Sequence, residues 1–138
     1  MSALDLVRRL LLADANVMAE ADAVFMVRAK QGTPPPFIVL DLVGESEFLR
    51  NLAGSGGQWD SRVSVACHAA RAADADAMAE TIKSAIGDLN EYPVGDGGSP
   101  EAVLATVQTW MASASVFDGS EDGSVFRRLV DYGVRWRT

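Results

Sequence analysis

The chain contains a single cysteine and a single histidine, Cys67 and His68. One cysteine excludes an intrachain disulfide, and nothing in the sequence approaches the nitrogen and sulfur ligand set of a zinc site. Cations are scarce: 12 Lys and Arg stand against 19 Asp and Glu, and a net charge of −7 argues against an electrostatic grip on a phosphate backbone. Long apolar runs are also missing. Leu10–Leu12 is far shorter than the ~20 residues of a bilayer-spanning helix, and the first residues lack the apolar region and cleavage site of a signal peptide. A soluble, unexported protein is expected, with a reducing cytoplasm the easier reading of its cysteine content. No repeat, heptad or low-complexity tract is present, which excludes solenoids and coiled coils.

What remains is ordinary globular composition, with 49% hydrophobic and 22% charged residues over 138 positions. That length is expected to form one domain, residues 1–138, with a core needing neither metal nor disulfide. The most telling stretch is Trp59 to Leu89, where the apolar period changes from two to about 3.6. Trp59, Ser61, Val63, Val65, Cys67 and Ala69 alternate with polar or small residues as a strand with one drier face. From Asp74 onward Ala75, Met78, Ala79, Ile82, Ala85, Ile86 and Leu89 share one helical face.

Ser2 followed by Asp5 resembles a helix-capping pair, and Leu4, Val7, Leu10 and Leu11, widened by Leu6 and Leu12, form the stripe of a first helix. A short helical piece through Val17 to Ala19 follows. Ala23 to Val27 reads as a short strand, although so short an apolar run fits either state. Gln31 to Pro36 is punctuation that cannot lie inside a helix or central strand. Phe37 to Val43 is apolar except at Asp41, which predicts a strand covered on both faces. Gly44 to Gln58 and Tyr92 to Pro100 read as loops, and Val103 to Phe117 as a long strand bent at Ala112 to Ser115. Asp118 to Ser124 reads as a polar turn. The closing strand, Arg128 to Arg137, places Arg128, Val130, Tyr132, Val134 and Trp136 on a dry face and Leu129, Asp131, Gly133, Arg135 and Arg137 on a wet one. The expected fold is α+β: an antiparallel or mixed β-sheet with two main helices packed on one face.

No catalytic, cofactor-binding or metal-binding constellation emerges. Cys67 and His68 are adjacent on a strand, so they point to opposite faces and cannot act on each other. Asp118, Glu121 and Asp122 lack the spacing of a calcium loop. The glycines around Gly54 and Gly95 lack the lysine of a phosphate loop. The one charge asymmetry is the arginine-rich C-terminal strand. It reads either as protection of a sheet edge or as a patch that meets acidic groups on a neighbouring subunit. Candidate subunit-interface residues are therefore Phe37, Val39, Arg128, Arg135 and Arg137, with Gly54, Gly56 and Gly57 in a candidate assembly loop.

The leucine-rich first helix, the Thr33–Leu40 and Gly57–Val65 segments, the Ala77–Ile86 helix and the closing Phe126–Trp136 segment carry a resemblance over nearly the whole chain. The chain resembles the tail-completion, or tail-terminator, proteins of long-tailed phages and phage-derived gene transfer agents. The resemblance implies a non-enzymatic virion protein, assembled in the host cytoplasm, that forms a ring, usually of six copies. Its partners would be copies of itself, the major tail tube protein and the head–tail connector or stopper protein. DNA would pass through the ring without sequence-specific binding, and neither cofactor nor membrane is implied. A head-completion or neck protein bound to the portal is the alternative in the same class, and a small α+β ligand-binding domain the alternative outside it.

Overall fold

The computed structural model describes residues 2–49, 58–96, 99–113, 116–119 and 125–137. The elements run α1 (Ala3–Ala13), α2 (Ala15–Glu20), β1 (Val24–Met26), β2 (Phe37–Leu49), β3 (Gln58–Ala69), α3 (Ala72–Ile86), β4 (Tyr92–Asp96), β5 (Ser99–Met111), β6 (Val116–Gly119) and β7 (Phe126–Arg137).

The first helix starts and stops for local reasons, whereas α3 starts after Arg71 without a side-chain cap and ends on a contact with the sheet. The Ser2 hydroxyl accepts a hydrogen bond from the Asp5 amide at 3.3 Å, and the Asp5 carboxylate pairs with Arg9 one turn on. Asp14 ends α1 and caps α2, its carboxylate accepting from the amides of Asn16 and Val17. In α3 the residues Ala75, Met78, Ala79, Ile82 and Ile86 are buried, as the period of the sequence predicts. Its end is held by a residue that sequence reading passed over. The buried Thr109 of β5 donates its hydroxyl to the Ile86 carbonyl, which the helix end leaves open, and accepts from the amide of Leu89 just beyond it.

The strands form one mixed sheet in the order β1-β2-β3-β7-β5-β4, with β6 added on β7. The β1–β2 pair is parallel and every other pair is antiparallel. The sheet curls into a half-barrel against which the helices pack, an α+β fold. One face carries Ile38, Leu40, Val63, Val65, Cys67, Val130, Tyr132 and Val134, which join Leu6, Val7 and Leu11 of α1 and the apolar side of α3 in one buried cluster. Burying this stripe against the helices is the main stabilising contribution, at about 1.5–3 kcal/mol per large aliphatic side chain.

Several expectations change here. The segment from Phe37 is not covered on both faces: Ile38 and Leu40 are buried, Val39 is half-buried, and Asp41 and Val43 are exposed. Among the described residues the helices lie on one side only, and the residues on the other side find cover from their neighbours in the sheet. Gly44 to Leu49 is strand rather than loop, because a bulge between Leu42 and Gly44 lets a polar stretch continue the pairing with β3. The expected assembly-loop glycines Gly54, Gly56 and Gly57 lie outside the described residues. Tyr92 to Asp96 and Ser99 to Pro100 are also strand: Tyr92 to Gly95 pair with residues 103–107 of β5, and Asp96 pairs with Ser99. The long strand read over Val103 to Phe117 is two strands on one partner. β5 pairs with residues 132–137 of β7 and β6 with residues 126–129, the break falling beside Ala112 and Ser113. In the first helix Leu12 is exposed, and Ala3 and Leu6 take the centre of the stripe.

The two hairpins share an end. Arg137 pairs with Gln58 on one side and Thr106 on the other, and residues 99–105 of β5 continue past the described end of β7 alongside β4.

Candidate assembly surface

The sheet face turned away from the helices combines an aromatic cluster with a set of cross-strand ion pairs. At the β1 end, Phe37 stacks on His68 with ring centroids 4.5 Å apart, and Phe25 meets Phe37 edge-on at 5.9 Å. His68 sits directly across from Phe37 in the β2–β3 register, so the pair follows from strand alignment. Phe37 is only 9% exposed, and this stack accounts for a buried aromatic on a face that no helix covers.

Toward the middle, Arg62 of β3 pairs with Asp131 of β7 at 2.9 Å, and Asp60 of β3 pairs with Arg135 of β7 at 3.3 Å. The Arg135 guanidinium also lies 5.8 Å from the centroid of the Trp110 ring. Trp110 in turn lies over Gly133, the residue opposite it in register; a methyl group at Gly133 would come within 2.1 Å of the indole. Glycine in this strand therefore makes room for the tryptophan.

The candidate interface arginines are thus placed within the chain's own network. Arg135 meets Asp60, Arg137 meets Glu91 at 2.7 Å, and Arg128 reaches across the helix-covered side to Asp76 of α3 at 3.5 Å. These acids lie on β3, before β4 and on α3, so no spacing along the sequence pairs them with the arginines. Half-exposed pairs of this kind add little stability, but they fix which strand lies beside which. Val39 is half-buried on the open face beside Phe37.

Cys67 and His68 point to opposite faces, as their adjacency on a strand requires. Burial pushes the Cys67 thiol up to about 12, with Glu20 adding to the rise and Arg128 opposing it. A thiol so raised is protonated and a poor nucleophile at neutral pH. The imidazole of His68 is held below its ordinary range, first by burial and then by the neighbouring Arg127. The fold therefore prefers neutral His68. This preference contributes stability above the unfolded-state pKa of ~6.5 and loses it as pH falls toward the lower folded-state value. His68→Phe keeps the stack and removes the titration. Between about pH 7 and about pH 5 the wild-type melting temperature should fall further than that of the variant; parallel curves would contradict the assignment.

Among the described residues no three His, Cys, Asp or Glu side chains converge as a metal site, and no helix is long and apolar enough to cross a membrane. No protein-family model matches the chain, and no curated protein matches it. Among solved structures, the chain is similar to one from the virion of a native gene transfer agent particle. The two superpose with a TM-score of 0.60 at 18% identity, over 99% of this chain and 96% of the other. The likeness is one of fold. It covers nearly the whole of both chains.

Proposed function

We propose that this protein is a structural component of a virion and that it caps the tail tube as a ring, ending tail elongation and forming the joint to the head connector. The observation that carries the reading is the end-to-end match to a chain of a gene transfer agent virion. The sequence resemblance to tail-terminator proteins, read independently of that match, narrows it to the top of the tail.

The fold suits such a role without chemistry. Among the described residues the sheet leaves one face uncovered by helices, and its end strand β4 has no further strand beside it. An unpaired strand edge offers backbone groups to another chain. A chain with net charge −7 also offers DNA little to adhere to as it passes. The partners under this reading are further copies of the chain, six in the family it resembles, the tail tube protein and the connector.

Purified protein should form rings of uniform copy number, visible by electron microscopy and countable by native mass spectrometry. A monomer at every concentration tested would contradict the ring.

A further inference from the structure

We propose that a groove beside β4 receives the outer edge of β2 from a second copy of this chain, so that the two opposite edges of one sheet make the head-to-tail contact. The inference rests on the ring reading above and names the surfaces that would build it.

The groove, of about 540 Å³, runs between the C-terminal ends of α1 and α3 and strand β4. Leu12, Ala85, Leu89, Tyr92 and Pro93 line it, with Arg8 beside them. Leu12 and Tyr92 are 40% and 46% exposed, so its apolar lining is only partly covered by the chain itself. Among the described residues no strand pairs with β4 on the side away from β5.

The opposite edge of the sheet is bared by a turn. The backbone of Val27 has φ of 72°, and the Arg28 amide donates to the Met26 carbonyl at 2.9 Å, forming a three-residue turn. Positive φ is sterically costly for a β-branched residue, and here it carries the chain away from the sheet. β1 consequently pairs only with Ile38 to Leu40, and the rest of β2 is an outer strand among the described residues. Met26, Val27 and Val43 are exposed along this edge.

Charge matches the two edges. Asp41 of β2 is exposed, and neither Asp41 nor Arg8 has an ion-pair partner among the described residues; Glu45 is already engaged by the Ser61 hydroxyl, and Asp14, the acid in the groove lining, by the amides of Asn16 and Val17. Pro93 withholds one amide from the β4 edge, so backbone pairing there is incomplete, and the apolar lining and Arg8 supply the selectivity. Joining opposite edges of the same sheet is a heterologous contact, which closes into a ring when the rotation between copies is right.

The test is oxidative cross-linking of Val43→Cys with Tyr92→Cys in a Cys67→Ala background, and of Val27→Cys with Leu12→Cys as a second pair. For the first pair β3, β7 and β5 separate β2 from β4 within one chain, several strand spacings of ~4.8 Å against the ~7 Å limit of a disulfide; for the second, whose α1 packs near β1 in the same chain, only the size of the linked species reports the contact between copies. A ladder of linked oligomers from a double variant, absent from both of its single variants, is the expected result. Arg8→Glu should require roughly tenfold more protein for the same ladder at low salt, and adding Asp41→Arg should restore it. Rings in the microscope with no ladder from either pair would overturn this contact and leave the ring standing. Neither rings nor ladder would overturn both.

Discussion

Ile82→Asp is expected to abolish cooperative folding. Ile82 is 1% exposed, at the centre of the α3 stripe that packs on the sheet. A carboxylate there has no cation in the buried cluster to meet, because that cluster is made of aliphatic, aromatic and sulfur-containing side chains with no Lys or Arg among them. Burying an unpaired charge costs several kcal/mol against a total stability of ~5–15 kcal/mol, so the variant should populate the unfolded chain or carry a protonated acid in a loosened core. Lys83→Gln is the control, since the adjacent position is exposed and a neutral surface change of this kind usually stays within ~0.5 kcal/mol. Circular dichroism during heating reads both. A cooperative melt of Ile82→Asp at the wild-type temperature would mean that the α3 face is wrongly assigned.

The elements legible in the sequence were those whose burial is one-sided. In α3 every buried residue falls on the predicted stripe, and in β7 Val130, Tyr132, Val134 and Trp136 of the expected dry face are buried while Arg128 is half-buried; Gly133, expected on the wet face, is buried beneath Trp110. The opposite orientation of Cys67 and His68 follows from strand geometry alone. Elements held by pairing rather than by apolar pattern were less legible. Tyr92 to Asp96 contains proline and glycine and becomes a strand only because β5 lies beside it. Gly44 to Leu49 is polar and is carried along by a bulge. There Glu45 accepts a hydrogen bond from Ser61 at 2.7 Å, and Ser61 in turn accepts one from the Trp136 indole at 3.2 Å.

The candidate surface divides in the same way. The arginines of β7 stood out by composition, but their partners Asp76, Asp60 and Glu91 come from distant elements and are brought near by the sheet order. Phe37 reads as apolar surface to spare because its cover, Phe25 and His68, lies on two other strands. Leu12 reads as part of a buried stripe, and its exposure in the groove beside β4 depends on where α1 ends relative to the sheet. The Trp110 and Gly133 contact likewise depends on a register that no local signal encodes.

The largest effect expected of the proposed role is on the particle. A tail tube grows by adding copies of one subunit to a repeating end, a heterologous contact that does not close by itself. Stopping it requires a surface that binds the growing end and offers no further copy of the same site on its other side. A capping ring meets that condition, and the head connector then binds the surface it presents. The most direct measurement is the length distribution of tails made in producing cells that lack this protein, read by electron microscopy alongside complemented cells. Tails of uncontrolled length that are not joined to heads are the expected result, with normal length restored by the wild-type chain. Tails of normal length attached to heads in its absence would contradict it, and normal tails that fail only to join would place the protein on the head side of the neck.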